Sequence, residues 1–178
     1  MSSNVLILHG LEGSDYPHWQ SHLAIELIKN NYEVSFPVFP NKFAPKLDEW
    51  LEFLDMQMRC FDPDIVVCHS LANILWFHYL NRYDIKPIQK LMLVSPVSIS
   101  CQIEQISTFF PYELPYDLKA KEQIMVTSDN DPYITIDEVY RLRDLLGSIG
   151  LKVLENAGHI NEKSGYGRLD CAYDWVVR

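Results

Sequence analysis

Three short segments of the chain carry side chains that could cooperate in acyl transfer: Cys68-His69-Ser70-Leu71-Ala72, Asp129-Asn130-Asp131-Pro132 and Asn156-Ala157-Gly158-His159. A serine hydroxyl is a weak nucleophile at neutral pH. It gains reactivity when an imidazole takes its proton and a carboxylate orients that imidazole. Ser70, Asp131 and His159 supply the three groups in the chain order Ser, Asp, His, which is the order of α/β-hydrolases and not of chymotrypsin or subtilisin folds. Ser70 is flanked two residues away on each side by Cys68 and Ala72, small residues where a nucleophile elbow usually has glycines. Each segment also has a plainer reading: Ser70 as the cap of a helix, Asp131-Pro132 as the opening of a turn, His159 as a solvent-facing loop residue. The coincidence of all three favours the chemical reading.

Acyl transfer further needs donors aimed at the developing oxyanion, commonly the amide after the nucleophile and one from the loop after an earlier strand. Leu71 and Leu11 occupy those places, and Gly10 and Gly13 allow the first loop to bend. His69 adjoins Ser70, but neighbouring side chains on a tight turn diverge, so His159 is the better base. His9, His18 and His69 lack the carboxylate or thiolate companions of a zinc centre, so no metal is expected. Trp19 either belongs to the core or walls the pocket beside Gly10. Phe109, Phe110 and Tyr112, with Tyr116, either line an apolar acyl pocket or pack a long loop over the sheet.

These residues must be held by regular elements. Apolar runs at residues 5–8, 33–36, 65–68, 90–94, 123–127 and 151–154 read as about six strands, most of them buried on both faces. Between them lie helical stripes: Trp19, Leu23 and Leu27; Leu47, Trp50, Leu51, Leu54 and Met58; Ile136, Val139, Leu142, Leu145 and Leu146. Pro17 suits a first helical turn, Thr135 with Glu138 has capping-box spacing, Gly147 and Gly150 close the third stripe, and residues 169–177 read as a last helix. Alternating strands and helices predict an α/β fold, a mostly parallel sheet in a three-layer sandwich. In such sheets ligands bind beyond the carboxyl ends of the strands, where all the reactive segments fall. The long irregular piece, residues 96–121, is too short for a cap domain.

The whole chain, residues 1–178, reads as one domain: 48% of residues are apolar and 22% charged, enough for one core. A net charge of −9 with no basic cluster argues against nucleic acid. Cys60, Cys68, Cys101 and Cys171 form no Cys-x-x-Cys pair and read as reduced thiols. The lead-in from Met1 to Asn4 runs into an apolar stretch too short for a signal peptide or a membrane span, so a cytoplasmic protein with no membrane association is expected.

His9-Gly10, Gly13-Ser14, His18-Trp19, His69-Ser70-Leu71, Asp131-Pro132, and Gly158-His159-Ile160-Asn161 followed by Ser164-Gly165 together resemble the small serine-hydrolase family that includes the retinoblastoma-binding serine hydrolase and bacterial YdeN proteins. The resemblance runs over nearly the whole chain. It implies a minimal α/β-hydrolase without a cap, with Ser70 as nucleophile, Asp131 rather than Asp129 as orienting acid, His159 as base, and neither metal nor organic cofactor. The expected activity is cleavage of a small or medium acyl ester or amide. The competing classes are a non-catalytic module on the same scaffold, whose ligand would be a protein partner, and a nucleotide-binding protein, for which the first loop lacks the full Gly-x-Gly-x-x-Gly pattern.

Overall fold

The computed structural model describes residues 3–178. Met1 and Ser2, the head of the lead-in to the first strand, lie outside them. Six strands, β1 (Asn4–Leu8), β2 (Glu33–Ser35), β3 (Ile65–His69), β4 (Ile88–Val94), β5 (Ala120–Ser128) and β6 (Gly150–Leu154), form one sheet. Its order is β2-β1-β3-β4-β5-β6 and every neighbouring pair is parallel.

Five helices flank the sheet: α1 (Trp19–Lys29), α2 (Leu47–Phe61), α3 (Leu71–Arg82), α4 (Ile136–Leu145) and α5 (Asp170–Val177). The strand order explains their distribution. The chain moves one way from β1 to β2 and the other way from β2 through to β6. Right-handed crossovers therefore put α1 on one face and α2, α3 and α4 on the other. Side chains alternate accordingly. Leu6, Leu8, Val66, Cys68, Leu91, Leu93 and Met125 pack towards α2, α3 and α4. Val5, Ile7, Val67, Met92, Val94 and Val126 pack towards α1 and α5. The direction reverses between β1 and β3, and the crevice beyond their carboxyl ends is the expected ligand position of such a sheet.

The expected strands all form, and β4 and β5 begin earlier than their apolar runs. Ile88 pairs in register with Ala120 and Lys90 with Glu122, so polar residues extend both strands where the helical layers end. Thr135 and Glu138 close a capping box at α4. Three boundary expectations are corrected. Pro17 precedes the helix, because His18 caps α1. Gly150 opens β6, leaving Gly147, at φ +87°, to turn the chain out of α4. Leu145, placed on the buried stripe, is exposed at the last turn, where Leu146 and Ile149 enter the core instead. Among the described residues, no helix is long and apolar enough to cross a membrane.

Candidate active site

Ser70 stands between the end of β3 and the start of α3, with φ 56° and ψ −122°. That left-handed backbone costs an ordinary side chain about 1–3 kcal/mol and persists only where surrounding bonds enforce it. The bonds are present. The Ser70 N–H donates to the Val94 carbonyl at 2.9 Å, and the Ser70 carbonyl accepts from the Asn73 amide at 3.0 Å and the Asn73 side chain at 2.8 Å. Cys68 and Ala72, both fully buried, fill the places where glycines are usual, so small side chains suffice for this turn. Ser70 makes no side-chain capping bond to α3, which disposes of the simple cap reading. Its hydroxyl points across the sheet edge instead.

There Ser70 Oγ lies 2.8 Å from His159 Nε2, and His159 Nδ1 lies 2.9 Å from each carboxylate oxygen of Asp131. A carboxylate only accepts, so Nδ1 carries the imidazole proton and Nε2 is left to accept from the serine. The Asp131 side chain is closed off from solvent. Its Oδ1 also accepts the Tyr133 N–H at 3.0 Å, so the turn-forming role and the orienting role coexist in one carboxylate. The Tyr133 ring packs edge-on to His159 with centroids 4.6 Å apart.

The loops after β5 and β6 are stapled together by short acceptors that sequence reading did not single out. Asp129 Oδ1 accepts from the Asn156 amide at 2.7 Å, Ser128 Oγ from the Ala157 amide at 2.9 Å, and Asn130 Oδ1 from the Gly158 amide at 2.7 Å. The signal lay in the run Ser128-Asp129-Asn130-Asp131, three acceptors before the reactive one. Beyond His159, Asn161 Oδ1 accepts from both the amide and the hydroxyl of Ser164 at 3.0 Å, closing the turn that follows the histidine.

The loop after β1 arrives from the other side of the crevice. A Cβ on Gly10 would stand 2.7 Å from Ser70 Cβ and 3.2 Å from Ser70 Oγ, so only glycine leaves room for the serine there. Glu12, at φ 67°, and Gly13, at φ 90°, turn the loop, and the Glu12 N–H is tied to the Lys42 carbonyl at 2.8 Å. Leu11 and Leu71 both line the cleft, and among the described residues neither amide meets a backbone acceptor outside regular elements. The Leu71 N–H belongs to the first turn of α3, where no intrahelical acceptor exists.

His9 and His69 are engaged in bonds of their own. His9 accepts the Phe39 N–H on Nε2 at 2.9 Å and donates from Nδ1 to the Gly10 carbonyl at 2.7 Å; burial holds its pKa below the usual value. His69 donates from Nε2 to the His159 carbonyl at 3.0 Å, and burial pushes its pKa well down. It supports the loop of the other histidine.

The cleft beside Ser70 has a volume of about 450 Å³. Its apolar wall comes from Leu11, Val97, Ile103, Ile106 and Phe43, and Gly10 lines it as expected. The aromatic expectations are corrected. Trp19 is fully buried and sits edge-on behind His69, centroids 5.7 Å apart. Phe109 is fully buried against Trp50. Tyr112 packs on Phe77 and bonds the Val97 carbonyl at 3.1 Å, and Phe110 packs edge-on to Tyr112. None of the four is among the residues lining the cleft. The rings of Phe109, Phe110 and Tyr112 are drawn under the 3-10 turn Glu104–Phe109, which needs its own core, and the smaller Ile103 and Ile106 face the cleft in their stead, whereas Trp19 belongs to the core on the other face of the sheet.

A six-stranded parallel sheet with a strained serine after β3, an acid after β5 and a histidine after β6 defines an α/β-hydrolase. The particular family follows from comparison: residues 5–178 match the family model described as serine hydrolase, and the chain belongs to that family. It is 23% identical over 180 residues to the YdeN protein of Bacillus subtilis (strain 168), covering 98% of this chain and 94% of that one. The crystal structure of the B. subtilis ydeN gene product superimposes with a TM-score of 0.86 at 21% identity, covering 99% of this chain and 97% of that chain. A YdeN-like hydrolase from Pectobacterium atrosepticum follows at TM-score 0.72 and 20% identity, covering 98% and 89%. The esterase domain of a Rhodothermus marinus protein has a TM-score of 0.64 at 10% identity, covering 98% and 86%.

Proposed function

We propose that this chain hydrolyses small or medium acyl esters or amides through an acyl-enzyme intermediate on Ser70. The observation that carries the reading is the continuous hydrogen-bonded chain from Ser70 Oγ through His159 to Asp131, at 2.8 and 2.9 Å. In the first step Ser70 Oγ attacks the scissile carbonyl while His159 Nε2 takes its proton. The Asp131 carboxylate holds the imidazole in the required tautomer and offsets the imidazolium charge. The negative charge on the tetrahedral oxygen falls to the Leu71 and Leu11 amides. His159 then returns its proton to the departing alcohol or amine. In the second step a water attacks the ester on Ser70, again losing its proton to His159, and the acid leaves as Ser70 Oγ regains a proton. The chemistry is closed within these residues and calls for no metal or organic cofactor. The esterase domain among the structural neighbours lends the ester reading support from fold alone.

The test is covalent labelling with a fluorophosphonate, in which Ser70 Oγ bonds to phosphorus and fluoride leaves. Adduct at Ser70 in the wild type and none in Ser70→Ala is the expected result. A folded wild type that takes no label, or takes it elsewhere, refutes the proposal, and leaves the chain to the non-catalytic reading.

A further inference from the structure

Apart from the Ser70–His159–Asp131 chain, the cleft wall carries a histidine whose ring N–H meets no protein acceptor among the described residues. His18 lines the cleft at only 3% exposure. It is the N-cap of α1, and its Nδ1 accepts the Gln20 N–H at 3.2 Å. That bond puts the ring proton on Nε2. Protonating Nδ1 would set one N–H against another at the positive end of a helix dipole. Burial, opposed by Glu162 and joined by His159, takes the pKa down to about 4. The imidazole is therefore neutral with a fixed tautomer, and its Nε2–H has no acceptor among the described residues.

Its neighbours do not fill that gap. His69, with its ring 4.9 Å from that of His18, gives its own Nε2–H to the His159 carbonyl and forms no hydrogen bond with His18. The Ser14 hydroxyl, on the same loop and also lining the cleft, is buried with no partner either. This wall is built with more hydrogen-bonding capacity than the protein uses. The charges around it favour an uncharged ligand group: Glu12, Asp15 and Glu162 outnumber Lys42 and Lys163, and Lys42 is already paired with Asp15 at 2.7 Å.

We propose that His18 is a specificity-determining residue that donates Nε2–H to a second, uncharged acceptor oxygen of the substrate, an ether, hydroxyl or carbonyl oxygen a few atoms from the scissile carbonyl. The inference rests on the hydrolytic reading above and extends it: the preferred substrates are oxygenated esters or amides rather than plain alkyl ones. A site whose polar groups await a partner discriminates against the analogue that lacks it.

Two near-isosteric ester pairs test this. One places the oxygen on the acyl side, p-nitrophenyl methoxyacetate against p-nitrophenyl butyrate. The other places it on the alcohol side, 2-methoxyethyl acetate against butyl acetate. The quantity read is the kcat/KM ratio within each pair, in wild type, His18→Asn and His18→Ser. Dividing variant by wild type cancels the intrinsic reactivities. Both replacements keep an oxygen able to cap α1. The expected result is a fall of roughly three- to tenfold in the oxygenated-to-alkyl ratio of at least one pair, in both variants. Unchanged ratios in both pairs, or equal losses on both members, overturn the proposal, the latter because His18 would then serve the scissile group or the fold. Failure of both variants to fold confines His18 to capping and also overturns it. If the wild type cleaves none of the esters and takes no fluorophosphonate, the hydrolytic reading itself has failed; if it takes label and the ratios stay put, only the role of His18 has.

Discussion

Asn73 grips Ser70 from within the first turn of α3. Its carboxamide nitrogen donates to the Ser70 carbonyl and to the Val94 carbonyl, each at 2.8 Å, and so ties the strained turn to the end of β4. Asn73 is wholly buried and touches no reacting atom, so it is a positioning residue. Asn73→Leu keeps the volume and removes both donors. Leaving buried carbonyls short of a partner is expected to cost about 1–3 kcal/mol of stability. The folded fraction should also label with fluorophosphonate about 10–100-fold more slowly, with KM for a short ester little changed, because a misplacement near 1 Å costs rate on this scale. A labelling rate per folded molecule equal to wild type would reduce Asn73 to a purely structural part.

Asp131 and Asp129 sit two residues apart on one loop and the structure gives them different partners. Asp131 meets the His159 ring, whereas Asp129 holds the Asn156 amide. Asp131→Asn should leave the fold intact and lower kcat by about 10⁴, the size known from the equivalent change in a serine protease, because the wrong imidazole tautomer is then favoured. Asp129→Asn retains an acceptor oxygen and should stay within about threefold of wild type. Steady-state kinetics on a p-nitrophenyl ester decides; a larger loss at Asp129 would reverse the assignment of the acid.

The sequence pattern sufficed for the parts of this site that depend on element ends. Ser70, Asp131 and His159 each follow an apolar run that could hardly be anything but a buried strand, and parallel strands deliver such residues to a common edge. It was insufficient where side chains choose between two apolar surroundings. Phe109 and Tyr112 have the composition of a pocket wall, yet the irregular stretch between β4 and β5 has to bury rings beneath itself, and periodicity does not say which. The loop staples through Ser128, Asp129 and Asn130 escaped notice for a related reason. They pair residues 27 to 29 positions apart across two loops, a relation with no local signature.

The corrected wall changes which residues set substrate length and leaves the expected preference for short acyl chains as it was. The cleft is bounded by the aliphatic Ile103 and Ile106, and among the described residues no separate cap covers it, so short-chain p-nitrophenyl esters should be cleaved with higher kcat/KM than long-chain ones. Ile106→Ala opens the wall and should move the optimum to longer chains. Phe109→Leu, deep beside Trp50, should lower stability by about 1 kcal/mol and leave the chain-length profile alone. A series from acetate to palmitate in the three proteins distinguishes the two positions. A steady rise to palmitate in the wild type would show the cleft to be deeper than its walls suggest.

The buried histidines make stability depend on pH in a definite direction. His18, His9 and His69 all have pKa values lowered by burial, His18 from 6.5 to about 4. Between those two values the unfolded chain binds a proton at position 18 that the folded chain does not. Unfolding is then favoured as pH falls, and stability rises with pH over the same window. The contribution of His18 is fully present above about pH 6.5 and is lost progressively down to about pH 4. A shift of that size corresponds to about 3 kcal/mol, with His9 and His69 acting in the same direction. Urea denaturation at pH 7.5, 6.5, 5.5 and 4.5 should therefore show a marked loss of stability before most carboxylates titrate. In His18→Asn, which has no proton to gain at that position, the loss across the same interval should be smaller by about 1–3 kcal/mol. Parallel stability curves for the two proteins would mean that the His18 imidazole takes up its proton in the folded state as readily as in the unfolded one, contrary to its capping bond and its burial.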